Sequence, residues 1–318
     1  MPTLKEIKGR ISSVKGTLKI TAAMKLVSSA KLRKAQKATE AMRPYETQLR
    51  HMLDLVQSSA PGGDGFSAAT ASQSSAPSVR TGPKDGTILT KKADFVGTGP
   101  DLGPVRTPDT VRTAIIGIAS NSSLCGGFNT NIIAKVRSVR KEGDVVYSIG
   151  RKMADAMRKE GFASPADYTA LADHPSYGSA AALVDQLAQD LAEGRIGQVL
   201  LVYTHFVSTA KQVPTVEVLM SSAESDVFSD NTSETDAIIE PGRKELLSLL
   251  EPKLIKLKLY AALLDSAAAE HAARTVAMQT ATDNGENLLQ ELTLQYNKGR
   301  QQKITSEILD LAGGQAQE

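Results

Sequence analysis

Leu4, Ile7, Ile11, Val14 and Leu18 recur at alternating spacings of three and four, and Leu49, Leu53 and Val56 return to the same frame. That period marks a helix with a coiled-coil seam. Between the two stretches the frame meets Thr21, Lys25 and Ser28, where its apolar pattern fails. Ile20, Met24 and Val27 form an offset stripe there, which predicts a second apolar direction and a second partner. Ala and Lys fill the run and no Gly falls between Gly16 and Gly62. A single helix is therefore predicted over residues 4–57, on the order of 80 Å long and bent at Pro44.

Residues 58–110 break the pattern. Gly, Pro, Ser and Thr crowd around scattered apolar side chains such as Phe66, Ile88, Leu89 and Phe95, which reads as a linker or extended loop without a core of its own. From Val111 the period shortens. Thr113–Ala119, Asp144–Ile149, Gln198–Thr204 and Val213–Leu219 read as Ile- and Val-rich strands, separated by helical stretches at 129–141, 151–160 and 177–193. Such alternation predicts an α/β domain over 111–220 with a largely parallel sheet. An acidic, Ser-rich loop occupies 221–240, and a second long helix is expected within 241–318, ending near Leu311.

Two long helices at opposite ends of a chain, with one compact domain between them, can pair only as an antiparallel coil projecting from that domain. Each supplies the apolar face the other needs, because a long isolated helix is poorly stabilised in water. The fold class is thus α/β: a two-helix coiled coil from the N- and C-terminal segments plus a central Rossmann-like domain.

Charge sharpens this picture only locally. Lys and Arg total 37 against 35 Asp and Glu, yet residues 1–57 hold 12 basic and 4 acidic side chains. The first helix is cationic. The basic run Lys31-Leu-Arg-Lys-Ala-Gln-Lys37 suits an acidic protein surface better than nucleic acid, since no aromatic interleaving or base-reading motif accompanies it. The densest apolar stretch, Leu246–Leu264, is broken by Glu251, Lys253, Lys256 and Lys258, so membrane association is expected only through a partner. The N-terminus already follows the helical period and has no apolar leader core, so it is expected to belong to the mature fold.

Candidate chemistry is sparse. Ser120-Asn-Ser-Ser-Leu-Cys-Gly-Gly-Phe-Asn129 joins a strand to a helix, where Gly-rich loops cradle phosphates, but it matches neither dinucleotide nor P-loop spacing. Gly126 and Gly127 read better as a tight turn. Cys125 is the lone cysteine, which rules out an internal disulfide, and neither His174 nor His205 forms a local signature with it. Asp167, Asp173 and Asp185 show no paired-carboxylate spacing. No catalytic, cofactor-binding or metal residue is assigned, and no cofactor is expected.

Three separated segments carry a family resemblance. Leu4 through Gln36 closely resembles the opening helix of ATP synthase γ subunits. Glu270-His-Ala-Ala-Arg-Thr-Val-Ala-Met278, Ala281-Thr-Asp-Asn284 and Tyr296-Asn-Lys-Gly-Arg-Gln-Gln-Lys-Ile-Thr-Ser-Glu-Ile308 resemble its terminal helix. Leu124-Cys-Gly-Gly-Phe-Asn129 resembles its central turn. The chain departs from the family in having Asn121-Ser-Ser123 where Asp-Arg-Gly is usual, in the length of 58–110, and in lacking a two-cysteine regulatory insertion.

The resemblance implies a non-catalytic central-stalk rotor, one copy per complex. Its coil would enter the α3β3 hexamer, and its domain would bind an ε-type subunit and sit on the c-ring of a proton-translocating ATP synthase. It further implies that Arg300, Gln301 and Thr305 contact β-subunit loops and that Met24, Lys25 and Arg274 lie in the coupling region. The implied location is the cytoplasmic face of a bacterial inner membrane, or the matrix or stroma side for a processed organellar chain. A static coiled-coil scaffold and a basic nucleic-acid-binding rod are the competing classes.

Overall fold

The computed structural model describes residues 3–58, 112–222 and 242–314. The stretch at 58–110 and the acidic loop at 221–240 therefore lie outside the described residues except for their first positions. Ten elements follow in chain order: α1 (Leu4–Ser58), β1 (Thr113–Ile118), α2 (Phe128–Val139), β2 (Val145–Ile149), α3 (Arg151–Lys159), α4 (Thr169–Asp173), α5 (Tyr177–Ala192), β3 (Gln198–Phe206), β4 (Gln212–Ser221) and α6 (Arg243–Gly314).

α1 begins on a reciprocal cap, in which the Thr3 amide donates to Glu6 Oε2 at 3.0 Å and the Glu6 amide to Thr3 Oγ1 at 3.3 Å. Its 55 residues run through Pro44, and the 72 of α6 run through Pro252. At 1.5 Å per residue these helices measure about 80 and about 110 Å.

The seam between them corrects the sequence reading. The alternating frame does not fail in the middle of α1: it continues through Thr21, Lys25 and Ser28 to Leu32, Ala35, Thr39, Met42 and Glu46, none of which is exposed. Thr21 and Ser28 are buried, at 9% and 2% exposure. Their polarity hid them, yet both hydroxyls are satisfied locally, Thr21 donating to the Leu18 carbonyl and Ser28 to that of Met24. Of the offset stripe, Ile20 and Val27 face solvent, both more than half exposed, while Met24 is half-buried beside the seam.

Packing changes along the seam. Near the domain, Leu49, Leu53 and Val56 interlock with Leu250, Leu254 and Leu257. Each fully buried Leu contributes about 1.5–3 kcal/mol. In the middle, Leu32 rests on Ala268 and Ala272, and toward the tip glycines take over. A Cβ on Gly285 would stand 2.7 Å from Leu18 Cδ2, and one on Gly299 would stand 3.2 Å from Leu4 Cδ2, so each glycine is the socket for a leucine of α1.

The four strands form one sheet in the order β2-β1-β3-β4. β1 pairs in parallel with β2 and β3, and β4 returns antiparallel as the partner of β3. Pro214 is tolerated because, among the described residues, β4 pairs on one side only. Helices α2 and α3 cover one face through Ile132, Val136, Met153 and Met157. α5 and α6 cover the other with Leu183, Leu187, Leu259 and Leu263. Gly150 turns β2 into α3 at φ +95°, and a Cβ there would stand 2.1 Å from the Ala119 carbonyl oxygen. Only glycine fits that turn. α4 is the one short helix that the sequence pattern did not predict.

Candidate functional site

In an open α/β sheet the ligand crevice lies outside the carboxyl ends of the strands, at the point where the strand order reverses. Here that point falls between β1 and β3. The crevice is occupied by α6: Ala269 and Ala273 pack there against Cys125, Phe128 and Phe206. Gly126 takes the left-handed φ of +57° in this turn, and a Cβ there would stand 3.8 Å from that of Ala277, in ordinary contact. The 120–129 turn thus grips the shaft, and small residues on α6 make the close approach possible. From Ala262 to Arg274 α6 is buried on nearly every side, lying between α1 and the sheet.

Cys125 belongs to this grip. Asn129 Nδ2 donates to its sulfur at 3.1 Å and to Ser120 Oγ at 2.8 Å, while the Ser120 amide donates to Asn129 Oδ1. Neither His174 nor His205 pairs with the thiol. His205 Nδ1 instead lies 2.6 Å from Asp265 Oδ2, tying β3 to α6. Burial holds the Asp265 carboxyl above its usual range, outweighing the His205 contact and the Phe206 amide that donates to it. A second strut joins Lys258 of α6 to Glu217 of β4 at 3.0 Å and to the Val218 carbonyl at 3.1 Å. Burial pushes the Glu217 carboxyl up, but Lys258 and the Tyr203 hydroxyl outweigh it and leave it below its usual value.

The asparagine that departs from the familiar loop pattern has a defined job. Asn121 Nδ2 donates to Asp173 Oδ2 at 2.7 Å and to the Thr169 carbonyl at 2.8 Å, while Asn121 Oδ1 accepts from the Arg151 amide at 2.8 Å. It therefore joins α4, α3 and the turn. Asp173, which carried no role in the sequence, is placed by this contact within electrostatic reach of Glu270 and His271 on α6.

The six residues singled out by resemblance fall into two groups. Thr21 meets Thr282 and Leu18 meets Gly285, a register that sets Lys25 level with Met278 and Arg274 one turn nearer the domain. Met24 and Lys25 are half-buried beside the seam. Arg274 is only 8% exposed, which excludes a solvated role. Its Nη2 lies 2.7 Å from Glu270 Oε1, but the approach is a charge contact without an aligned hydrogen bond. Burial raises the Glu270 carboxyl despite that contact, and it lowers His271 to about 4, with Arg274 and Lys31 adding to the fall.

Arg300, Gln301 and Thr305 form the second group, about 40 Å farther along α6 at its helical rise. All three are exposed. They lie past Gly299, the socket of Leu4, where α1 has ended. Among the described residues nothing pairs with α6 beyond this point, and Ile304, Ile308 and Leu309 are exposed.

Residues 3–316 match the ATP synthase family. The chain is 42% identical over 323 residues to the ATP synthase gamma chain of Phocaeicola vulgatus, with 99% of each covered. The chain belongs to the ATP synthase gamma chain family. It is also 34% identical over 321 residues to the gamma chain of Flavobacterium johnsoniae, covering 99% of this chain and 98% of the relative. Among solved structures, a chain of the Euglena gracilis mitochondrial ATP synthase shares the fold at a TM-score of 0.62 and 17% identity, over 98% of this chain and 93% of that one. A chain of the Tetrahymena thermophila mitochondrial central stalk and c-ring structure does so at 0.53 and 20%, over 82% and 99%.

In this gamma-chain fold the sequence missed the buried polar groups. Glu270 and Arg274 stand at a helical i, i+4 spacing, but nothing local told that both would be buried. Among the described residues no helix is long and apolar enough to cross a membrane, and no His, Cys, Asp and Glu cluster could hold a metal ion.

Proposed function

We propose that this chain is the central rotor of a proton-translocating ATP synthase and carries torque between the c-ring and the catalytic β subunits. It is a non-catalytic subunit. The observation that carries the reading is the solitary tip of α6, a helical end beyond Gly299 whose apolar side chains have no covering element among the described residues. Such a surface calls for a surrounding partner.

In this reading the coil occupies the hole of an α3β3 hexamer, one copy per complex. The domain binds the ε-type subunit and rests on the c-ring, on the cytoplasmic side of a bacterial inner membrane. Arg300, Gln301 and Thr305 meet β-subunit loops at the tip. Met24, Lys25 and Arg274 serve the coupling region, where Arg274 is buried and paired with Glu270 at 2.7 Å. Gripping of α6 by the 120–129 turn, together with the His205–Asp265 and Lys258–Glu217 struts, supports rigid rotation of the domain with the shaft. A static scaffold would not need the asymmetric single-helix tip.

The test is co-purification of tagged chain from native membranes, with subunit identification and an ATPase assay. Recovery with α, β and ε-type subunits and activity is expected. Recovery alone, or with nucleic acid, rejects the reading.

A further inference from the structure

Arg274 is a long cation held almost wholly inside the protein, at 8% exposure, and a guanidinium so placed needs acceptors for the donors it turns inward. A helical side chain leans toward the N-terminus of its own helix, so Arg274 reaches back over the residues three and four positions before it. These are His271 and Glu270. Among the described residues they are the two side chains that meet the guanidinium. Glu270 Oε1 lies 2.7 Å from Nη2 as a charge contact without an aligned hydrogen bond, and His271 Nδ1 lies 3.4 Å from Nη1.

The second contact decides the state of the imidazole. A guanidinium has donors and no acceptor, so Nη1 and a protonated Nδ1 would oppose donor to donor. Nδ1 is therefore bare, the single ring proton sits on Nε2, and His271 is neutral. The surroundings agree with that state. Burial, Arg274 on the same helix and Lys31 of α1 disfavour the imidazolium, and Asp173 of α4, held by Asn121 at 2.7 Å, opposes them without prevailing. Glu270 supplies charge to Arg274, but a contact without an aligned hydrogen bond leaves the guanidinium plane free to turn. His271 supplies the direction. We propose that His271 is a positioning residue for Arg274, its neutral Nε2–H tautomer receiving Nη1 and fixing the guanidinium on the shaft; its bearing on turnover rests on the coupling role given to Arg274 above.

The full chain, isotopically labelled at the histidine ring nitrogens, reads the contact directly. At neutral pH the His271 signals, assigned by their loss in His271→Gln, are expected to show an unprotonated Nδ1 and a protonated Nε2, with Nδ1 shielded as a nitrogen that accepts a hydrogen bond. Arg274→Met keeps the apolar stem, removes the donors and is expected to abolish that shielding. In the complex assembled with α and β subunits, His271→Leu is expected to lower ATPase turnover about tenfold at unchanged KM, whereas His271→Gln, whose carboxamide oxygen accepts instead, restores most of it. Should His271→Leu fail to fold or assemble, the labelled native chain and Arg274→Met still decide the contact. A protonated Nδ1, an Nδ1 signal that Arg274→Met leaves in place, or native turnover in assembled His271→Leu overturns the proposal. Failure of the native chain to assemble with those subunits rejects the rotor reading instead, and the labelled signals then decide the contact alone.

Discussion

The hydroxyls of Thr21 and Thr282 meet at 3.0 Å across the seam, joining positions 261 apart in sequence. Thr21 also donates to the Leu18 carbonyl, and Thr282 Oγ1 lies 2.8 Å from the Met278 carbonyl. The contact fixes which turn of α1 faces which turn of α6, much as a single buried polar residue fixes register in other coils.

A double-mutant cycle measures that contact. Thr21→Val and Thr282→Val each remove one partner and are expected to cost about 0.5–1.5 kcal/mol, while the double variant costs less than the two together. Chemical unfolding of the free chain followed by helical circular dichroism provides the values. Strict additivity would deny the hydroxyls a role in register.

The glycines of the coil divide by what their missing side chains would meet. At Gly16 nothing lies within 4 Å, so Gly16→Ala is expected to stabilise the chain by about 0.5–1 kcal/mol through helix propensity. At Gly285 the added carbon would press on Leu18, and Gly285→Val is expected to cost about 1–3 kcal/mol by overpacking. Introducing Leu18→Ala should relieve part of that loss. Thermal melts of the four variants check the opposite signs and the rescue.

These seam residues also show where the sequence was readable. Leu49 and Leu53 could be placed because an apolar side chain on a 3.5-residue period has one economical environment. Thr21, Ser28 and Ser266 could not, since a small polar side chain suits a solvent face equally well until a partner helix is known to approach that closely. Strands such as Val145–Ile149 were legible from β-branched runs, whereas the five residues of α4 are too short to express a period. The plugging of the switch-point crevice by α6 was out of reach for another reason. It depends on Ala269 and Ala273 meeting a turn some 150 positions earlier, and alanine spacing alone does not name the surface it fits.

Burial of His271 makes stability pH-dependent in a specific window. Its folded value of about 4 lies below the ordinary 6.5, because burial and the nearby Arg274 and Lys31 disfavour the cation. Between those values the unfolded chain binds a proton that the folded chain does not, so stability falls as pH drops from 6.5 toward 4. Glu270, raised by burial, works in the opposite direction over the acid range. His271→Gln removes the first effect alone. The melting temperature of the variant should gain on that of the native chain steadily as pH is lowered through this window, and parallel curves would show that His271 titrates normally.

Arg300 separates the rotor reading from a purely structural one. It is exposed on the single-helix part of α6, makes no ion pair among the described residues, and lies outside the seam. Removing it should therefore leave the free chain as stable as before, within about 0.5 kcal/mol for an exposed position. In the assembled ATPase the expectation differs. A guanidinium pairing in bidentate fashion with a carboxylate of the surrounding ring contributes an interaction that Lys reproduces only in part. Arg300→Ala is expected to lower turnover about tenfold, with Arg300→Lys intermediate and subunit stoichiometry unchanged. Unaltered turnover in Arg300→Ala would remove the tip from the coupling pathway and leave the mid-coil group around Arg274 as the remaining candidate.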